Sequence, residues 1–216
     1  MTLLTMITTM AEGLGKTCAI FFLTLIFSLP LGMVFCLLRM SKIKPVSVVV
    51  KFIISILRGT PLMLQLLAVA YGPWYLLRIP GTRNKLIPVV IAFAINYAAY
   101  FSEIYRGGIE SIPVGQYEAA TILGYSKFQT FMRIVLPQVI RRILPSTTNE
   151  IVTLVKDTSL AFTLSYAEMF TIGKQIANSQ TSFTPFIIAG VFYYVFNLLV
   201  EFVMGRVEKK MSYYTL

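Results

Sequence analysis

The sequence predicts an all-α integral membrane protein with about five transmembrane helices and a polar loop between the third and the fourth. Hydrophobic residues make up 56% of the chain, charged residues only 13%, and the mean hydropathy is +0.75. A soluble domain cannot bury that much apolar surface, whereas long uncharged runs suit helices that cross a bilayer. With 216 residues the chain has no room for a large soluble domain, so residues 1–216 are predicted to form a single transmembrane domain.

The predicted spans have the approximate limits 14–39, 46–77, 86–106, 146–170 and 183–204. Residues 1–10 either lie at the membrane surface or extend the first span, which has no charge between Cys18 and Leu38. The second span is too long to be straight, and Pro61 is expected to interrupt it. The fourth is the weakest by hydropathy because it contains Lys156 and Asp157, and Lys174 lies in a polar loop before the fifth.

The segment 107–145 is the predicted loop outside the bilayer. Its charge density would be costly in hydrocarbon; the charged residues include Glu118, Lys127, Arg133, Arg141 and Arg142. Apolar residues recur within it at helical spacing, which predicts helical structure. Gly124 interrupts the pattern, so two short helices with a bend fit it as well as one helix does.

The distribution of basic residues predicts the orientation. If the basic turn after the first span is cytoplasmic, the cytoplasmic segments hold twelve lysines and arginines and the outer segments hold five. The positive-inside rule then places the N-terminus outside and the loop and the C-terminus inside. The lysines and arginines behind the net charge of +10 lie at the ends of the apolar runs and do not form one patch. This distribution argues against nucleic-acid binding.

Residue types that build catalytic and metal sites are nearly absent. The chain has no histidine, one aspartate and two cysteines, so we expect no catalytic residue, no metal ligand and no cofactor. Gly15-Lys16-Thr17 looks like the end of a Walker A loop, but Met10 stands where that motif needs a glycine. Any ATP that drives this protein is therefore expected on another chain.

Three motifs carry a resemblance to a known family. Glu118-Ala119-Ala120, followed by Gly124 and then Ile134-x-Leu136-Pro137, resembles the EAA loop of ABC importer permeases. The segments 58–66 (RGTPLMLQL) and 156–160 (KDTSL) resemble the polar amino acid permeases within that class, the histidine, arginine, lysine and glutamine types. The resemblance covers most of the chain and implies the type I ABC importer fold, in which the loop forms a cytoplasmic coupling helix.

The same resemblance implies the partners. Two cytoplasmic ATPase subunits would bind ATP and Mg²⁺ and receive the coupling loop, through Glu118, Ala119, Ala120, Gly124 and Phe128. A second permease subunit, most simply a second copy, would complete the pathway within the lipid membrane, and an extracytoplasmic binding protein would deliver the substrate.

Polar residues at membrane depth have two interpretations, and both can hold. They line a substrate pathway, or they form salt bridges that fix helix register, Glu103 with Lys156 or Asp157 with Arg58. An amino acid needs an acid for its ammonium group and a donor for its carboxylate. The predicted substrate residues are Asp157, Glu103, Asn96, Tyr100, Arg58, Thr60, Lys156 and Thr158.

The expected function is the transport subunit of an ATP-driven importer in the cell membrane, for polar and especially basic L-amino acids. Its alternatives are an ABC permease for another small polar solute and a secondary transporter or channel. A secondary transporter would leave the loop without a role, and the chain shows no inverted repeat.

Overall fold

The computed structural model describes residues 2–211, and every regular element within them is helical. Nine α-helices follow one another in this part of the chain: α1 (Leu3–Arg39), α2 (Lys44–Gly59), α3 (Leu62–Leu77), α4 (Leu86–Glu110), α5 (Val114–Ile122), α6 (Lys127–Thr130), α7 (Leu136–Asp157), α8 (Met169–Gln180) and α9 (Thr184–Met211). A π-helical segment, Phe131–Val135, joins α6 to α7, and a 3₁₀ segment, Thr158–Leu164, follows α7. The all-helical prediction is confirmed.

Three helices of the described chain, α1, α4 and α9, are long and apolar enough to cross a membrane. α2 and α3 pass the same test only as a pair, and their axes differ in direction by 111°. The single span predicted over 46–77 is therefore two helices. The break lies at Thr60 and Pro61, both in extended conformation, because the proline ring disfavours helix at the residue before it.

The predicted fourth span, 146–170, is not a single helix. α7 begins at Leu136, within the predicted loop, and ends at Asp157. The 3₁₀ segment then ends at Leu164, and the chain turns at the next residue, Ser165, whose φ is 51°. The polar loop predicted around Lys174 is also wrong, because α8 occupies residues 169–180. The Glu168 side chain caps α8 by accepting hydrogen bonds from the amides of Phe170 and Thr171.

The centre of the fold is the contact between α1 and α4. α1 is longer than predicted because it begins at Leu3, and it presents small residues to α4. Gly32 is the tightest of these: a Cβ there would lie 2.9 Å from the Phe101 Cβ. Small residues let membrane helices approach each other closely, and the helices then gain dispersion energy. This gain stabilises their contact even though the lipid is as apolar as the helices. Phe93, Tyr97 and Phe101 on α4 and Leu154 on α7 complete the core.

Candidate functional site

An acid and a buried tyrosine join α4 to α7 at the end of α7 that lies far from the loop. The Tyr97 hydroxyl donates a hydrogen bond of 2.7 Å to Oδ2 of Asp157. Tyr97 is only 2% exposed, whereas Asp157 is partly exposed. The tyrosine therefore holds the carboxylate in place and leaves it accessible from the other side.

A second acid, Glu150, belongs to the same cluster. It is partly buried on α7, seven residues before Asp157, so the two acids share one face of the helix. Glu150 is close enough to interact electrostatically with both Asp157 and Arg58. Glu150 is not among the predicted substrate residues, because it falls at the start of the predicted fourth span, beside the charged loop. The seven-residue spacing from Asp157 is the signal that identifies it.

A cation, Arg58, lies beside the tyrosine rings of the same cluster. The Arg58 guanidinium, on the last turn of α2, lies 5.1 Å from the centre of the Tyr100 ring. The rings of Tyr100 and Tyr97 are 6.4 Å apart, and Tyr97 is bonded to Asp157. The cluster thus holds two carboxylates and one guanidinium, which suits a ligand that carries both signs of charge.

Amide side chains hold the break between α2 and α3. The Asn96 amide donates hydrogen bonds of 3.0 Å to the Leu57 carbonyl and to Oε1 of Gln65. Gln65 in turn donates to the same carbonyl at 2.8 Å and to the Thr60 hydroxyl at 2.8 Å. Asn96, Gln65 and Thr60 therefore satisfy the backbone groups that the break leaves free, and they set the position of Arg58.

Glu103 is paired differently from either predicted salt bridge. It accepts a hydrogen bond of 3.0 Å from Arg39 and one of 2.7 Å from Arg106, and Arg106 also bonds Glu110. The predicted pairs, Glu103 with Lys156 and Asp157 with Arg58, do not form. Glu103 lies six residues beyond Tyr97 on α4, about 9 Å nearer the loop at helical rise, where the end of α1 brings Arg39 alongside it.

The two remaining predicted residues flank Asp157. Lys156 is exposed, whereas Thr158 is fully buried and its hydroxyl donates to the Val155 carbonyl at 2.7 Å. Thr158 therefore stabilises the start of the 3₁₀ segment behind Asp157. The structure thus brings Asp157, Tyr100 and Arg58 into one cluster with Glu150 and Tyr97, and Glu103 lies outside it.

The loop contains the predicted bend. α5 ends at Ile122, and Gly124 has a φ of 77°, a conformation that glycine adopts readily. Ser126 then begins α6 with a capping box to Gln129. Ala120 is buried, whereas Glu118 and Ala119 are exposed together with three large apolar side chains, Ile122 at 86%, Leu123 at 72% and Phe128 at 73%. We call Ile122, Leu123 and Phe128 the apolar loop patch.

The loop is attached firmly to the helices. Ile112, Val135 and Val139 form a small buried cluster, and the Arg142 guanidinium donates a hydrogen bond of 2.5 Å to the Ser111 carbonyl. α6, the π segment and α7 follow one another without a break from Lys127 to Asp157. The residue that begins α6 and the acid of the candidate site thus belong to the two ends of one helical run.

A family model and curated relatives match most of the chain. Residues 28–213 match the family described as "Binding-protein-dependent transport system inner membrane component". The probable amino-acid permease protein YxeN of Bacillus subtilis is 33% identical over 94% of this chain and 92% of its own length. The arginine transport system permease protein ArtQ of the same organism is 35% identical, over 93% of this chain and 91% of its own.

Solved structures are similar over nearly the whole chain. A crystal structure of an amino acid ABC transporter with histidines has 29% identity and a TM-score of 0.87, and covers 97% of this chain and 99% of its own. The MetNI methionine ABC transporter, at 19% identity and a TM-score of 0.75, shares the fold. The matched length and these identities show that the chain belongs to the family of binding-protein-dependent transport system inner membrane components, the permease subunits of ABC importers.

Proposed function

We propose that the chain is the permease subunit of an ATP-driven importer for polar, in particular basic, L-amino acids. The observation that carries this proposal is the charge arrangement of the cluster around Tyr97 and Tyr100. Glu150 and Asp157 supply two negative groups, and Arg58 supplies one positive group. A basic amino acid at neutral pH carries two cationic groups and one carboxylate, so the cluster matches it in number and in sign.

The position of the cluster supports a binding role. Charged groups at membrane depth are costly unless they are paired or wet, and Asp157 has Tyr97 as its hydrogen-bond donor but no cation paired with it in residues 2–211. A ligand ammonium would complete the site. The similar proteins transport arginine, glutamine or cystine according to their names, which agrees with a zwitterionic substrate.

The apolar loop patch supports the partner assignment. Three large apolar side chains on a hydrophilic loop are expected to be covered in the assembled protein. We assign the patch, with Glu118, Ala119 and Gly124, to a cytoplasmic ATPase subunit that binds ATP and Mg²⁺. The complex would hold two such subunits, and this chain itself would bind no cofactor. The N-terminus lies outside and the loop and C-terminus inside, in agreement with the basic residues.

A second permease subunit is needed to enclose the site. Arg58 and Lys156 are exposed in the single chain, so one side of the charged cluster is open. Exposure of these charges to lipid would be unfavourable, and a second copy related by a two-fold axis would cover them. An extracytoplasmic binding protein would deliver the substrate to the outer face of this pair.

The test is transport by the complex in proteoliposomes with its co-purified ATPase, on a panel of arginine, lysine, glutamine and cystine. Asp157→Asn and Glu150→Gln keep shape and remove charge. We expect Asp157→Asn to weaken transport of every substrate, whereas Glu150→Gln weakens that of arginine and lysine about tenfold or more and that of glutamine much less.

Glu110→Gln is the matched control, because Glu110 is an exposed acid that pairs only with Arg106 near the loop. Wild-type transport by both site variants would refute the acid cluster as the binding site. A preference for a solute without an ammonium group would favour the alternative small polar solute, and uptake that continues without ATP would favour a secondary transporter.

A further inference from the structure

A cavity of about 420 Å³ adjoins the charged cluster on its loop side. Its polar lining comes from the ends of α1 and α2 and from α4: Arg39, Lys51, Ser55, Arg58, Tyr100 and Glu103. We call it the basic cavity. It shares Arg58 and Tyr100 with the candidate substrate site, whereas Asp157 does not line it. The two sites are therefore neighbours along one polar route.

The basic cavity has an excess of positive charge. Its acid, Glu103, already binds Arg39 and Arg106 at 3.0 and 2.7 Å. Lys51 and Arg58 form no salt bridge with a carboxylate in residues 2–211; the Arg58 guanidinium lies over the Tyr100 ring and near enough to Glu150 for an electrostatic interaction. Unpaired cations near membrane depth are costly, so the cavity is suited to an anionic guest.

The spacing of the two cations suggests how a guest would use them. Lys51 and Arg58 are seven residues apart on α2, with Ser55 between them on the same face. The separation of the backbone positions is about 10 Å at helical rise, more than a single carboxylate can bridge without movement of both side chains. Lys51 is the one nearer the loop. The pair therefore offers two successive positions to an oxyanion.

We infer that the basic cavity is an oxyanion subsite on the exit route. It holds the α-carboxylate of the bound amino acid in exchange between Arg58 and Lys51, and Lys51 is the position nearer the exit. This inference rests on the proposed function. The phosphate of an anionic phospholipid has the same oxyanion chemistry, and the experiment distinguishes the two sources.

The experiment measures ligand binding to the complete complex, with its ATPase subunits and without nucleotide, in nanodiscs of phosphatidylcholine alone and in nanodiscs that also contain phosphatidylglycerol. The ligands are L-arginine and L-argininamide, in which an amide replaces the carboxylate; glutamine and its amide take their place if the transport panel excludes arginine. Lys51→Gln tests the cavity, and Lys44→Gln is the control, an exposed lysine on the same helix outside the cavity.

We expect Lys51→Gln to weaken arginine binding about tenfold and to leave argininamide binding unchanged, because only the carboxylate uses Lys51. Lys44→Gln should change neither. Lys51→Gln could instead weaken the binding of both ligands equally, and only in discs that contain phosphatidylglycerol. That result would identify the oxyanion as a lipid phosphate and overturn its assignment to the carboxylate of the amino acid. Wild-type affinity for both ligands in both kinds of disc would overturn the subsite itself.

Asp157→Asn separates this inference from the proposed function. Loss of binding of both ligands in that variant supports the acid cluster whatever Lys51→Gln does. If Asp157→Asn binds both ligands as the wild type does and Lys51→Gln weakens arginine alone, the acid cluster fails and the basic cavity stands. Lys51 is exposed, so thermal unfolding of its variant should match the wild type and confirm that the effect is on binding.

Discussion

Tyr97 and Asp157 lie on different helices, and the hydrogen bond of 2.7 Å between them is the only one that Asp157 accepts from a side chain in residues 2–211. The bond occupies Oδ2 and leaves Oδ1 free for a ligand. Because Tyr97 is buried in the core of α1, α4 and α7, the carboxylate is oriented before any ligand arrives. Preorganisation of this kind lowers the entropy that binding must overcome.

Tyr97→Phe is therefore expected to impair substrate binding while leaving the charge of Asp157 in place. Loss of a hydrogen bond to a charged group corresponds to about 1.5–3 kcal/mol, so the dissociation constant should rise about tenfold or more. Equilibrium binding to the reconstituted complex measures it. Tyr105→Phe is the control, because its hydroxyl makes only a long bond, 3.4 Å, to the Leu29 carbonyl. Equal affinities for the two variants would contradict the role of Tyr97.

Glu103→Gln should affect stability instead of binding. The substitution removes the charge that pairs with both Arg39 and Arg106 and joins α1 to α4. These groups are mostly buried, so we expect a loss of about 1–3 kcal/mol in unfolding free energy, seen as a lower melting temperature in detergent. Arginine affinity per folded molecule should not fall. A clear fall without loss of stability would restore Glu103 to the substrate site.

Two adjacent glycines on α4 provide a matched test of the contact between α4 and α7. A Cβ on Gly108 would clash with Cγ2 of Ile143, whereas a Cβ on Gly107 would meet nothing within 4 Å. Gly108→Ala should destabilise the protein by about 1–3 kcal/mol because the core is overpacked. Gly107→Ala should be neutral or slightly stabilising, since alanine is the better helix former. Comparable melting temperatures for the two variants would show that α7 can shift away.

The bend at Gly124 is expected to matter for coupling to the ATPase. No atom lies within 4 Å of a Cβ built at this position, so the demand on the residue is its φ of 77° and not its size. Gly124→Val should displace Leu123 and Phe128 and uncouple ATP hydrolysis from uptake, because β-branched residues avoid positive φ. Gly124→Asn should retain coupling, since asparagine tolerates this conformation. Equal coupling ratios in proteoliposomes would contradict the requirement for a bend.

Much of the fold could be predicted because its signals are local. The uncharged run of α1, the Thr60-Pro61 break and the bend at Gly124 each depend on a few neighbouring residues, and each is found in the structure. The limits of the fourth span could not be predicted in this way. Its hydropathy is interrupted by Lys156 and Asp157, and the chain changes there from α to 3₁₀ geometry in a segment that packs against α3 and α8.

The candidate site was predicted less completely than the fold. Asp157, Arg58 and Tyr100 were identified by residue type and depth, but their partners depend on how the helices pack. Glu103 pairs with Arg39, 64 positions away in the sequence, and hydropathy contains no information on that contact. Glu150 was missed because it falls at the start of the predicted fourth span, beside the charged loop, and the face that it shares with Asp157 becomes evident only in the helix.

The uninterrupted helical run from Lys127 to Asp157 has a thermodynamic consequence. At helical rise it would extend roughly 45 Å, with the exposed loop at one end and the free Oδ1 of Asp157 at the other. If a protein bound to the loop changes the affinity of Asp157 for its ligand by some factor, linkage requires the ligand to change the affinity of the loop for that protein by the same factor. The coupling free energy can therefore be measured from either end, and the π segment, Phe131–Val135, is a place where a local change of helical geometry would alter it.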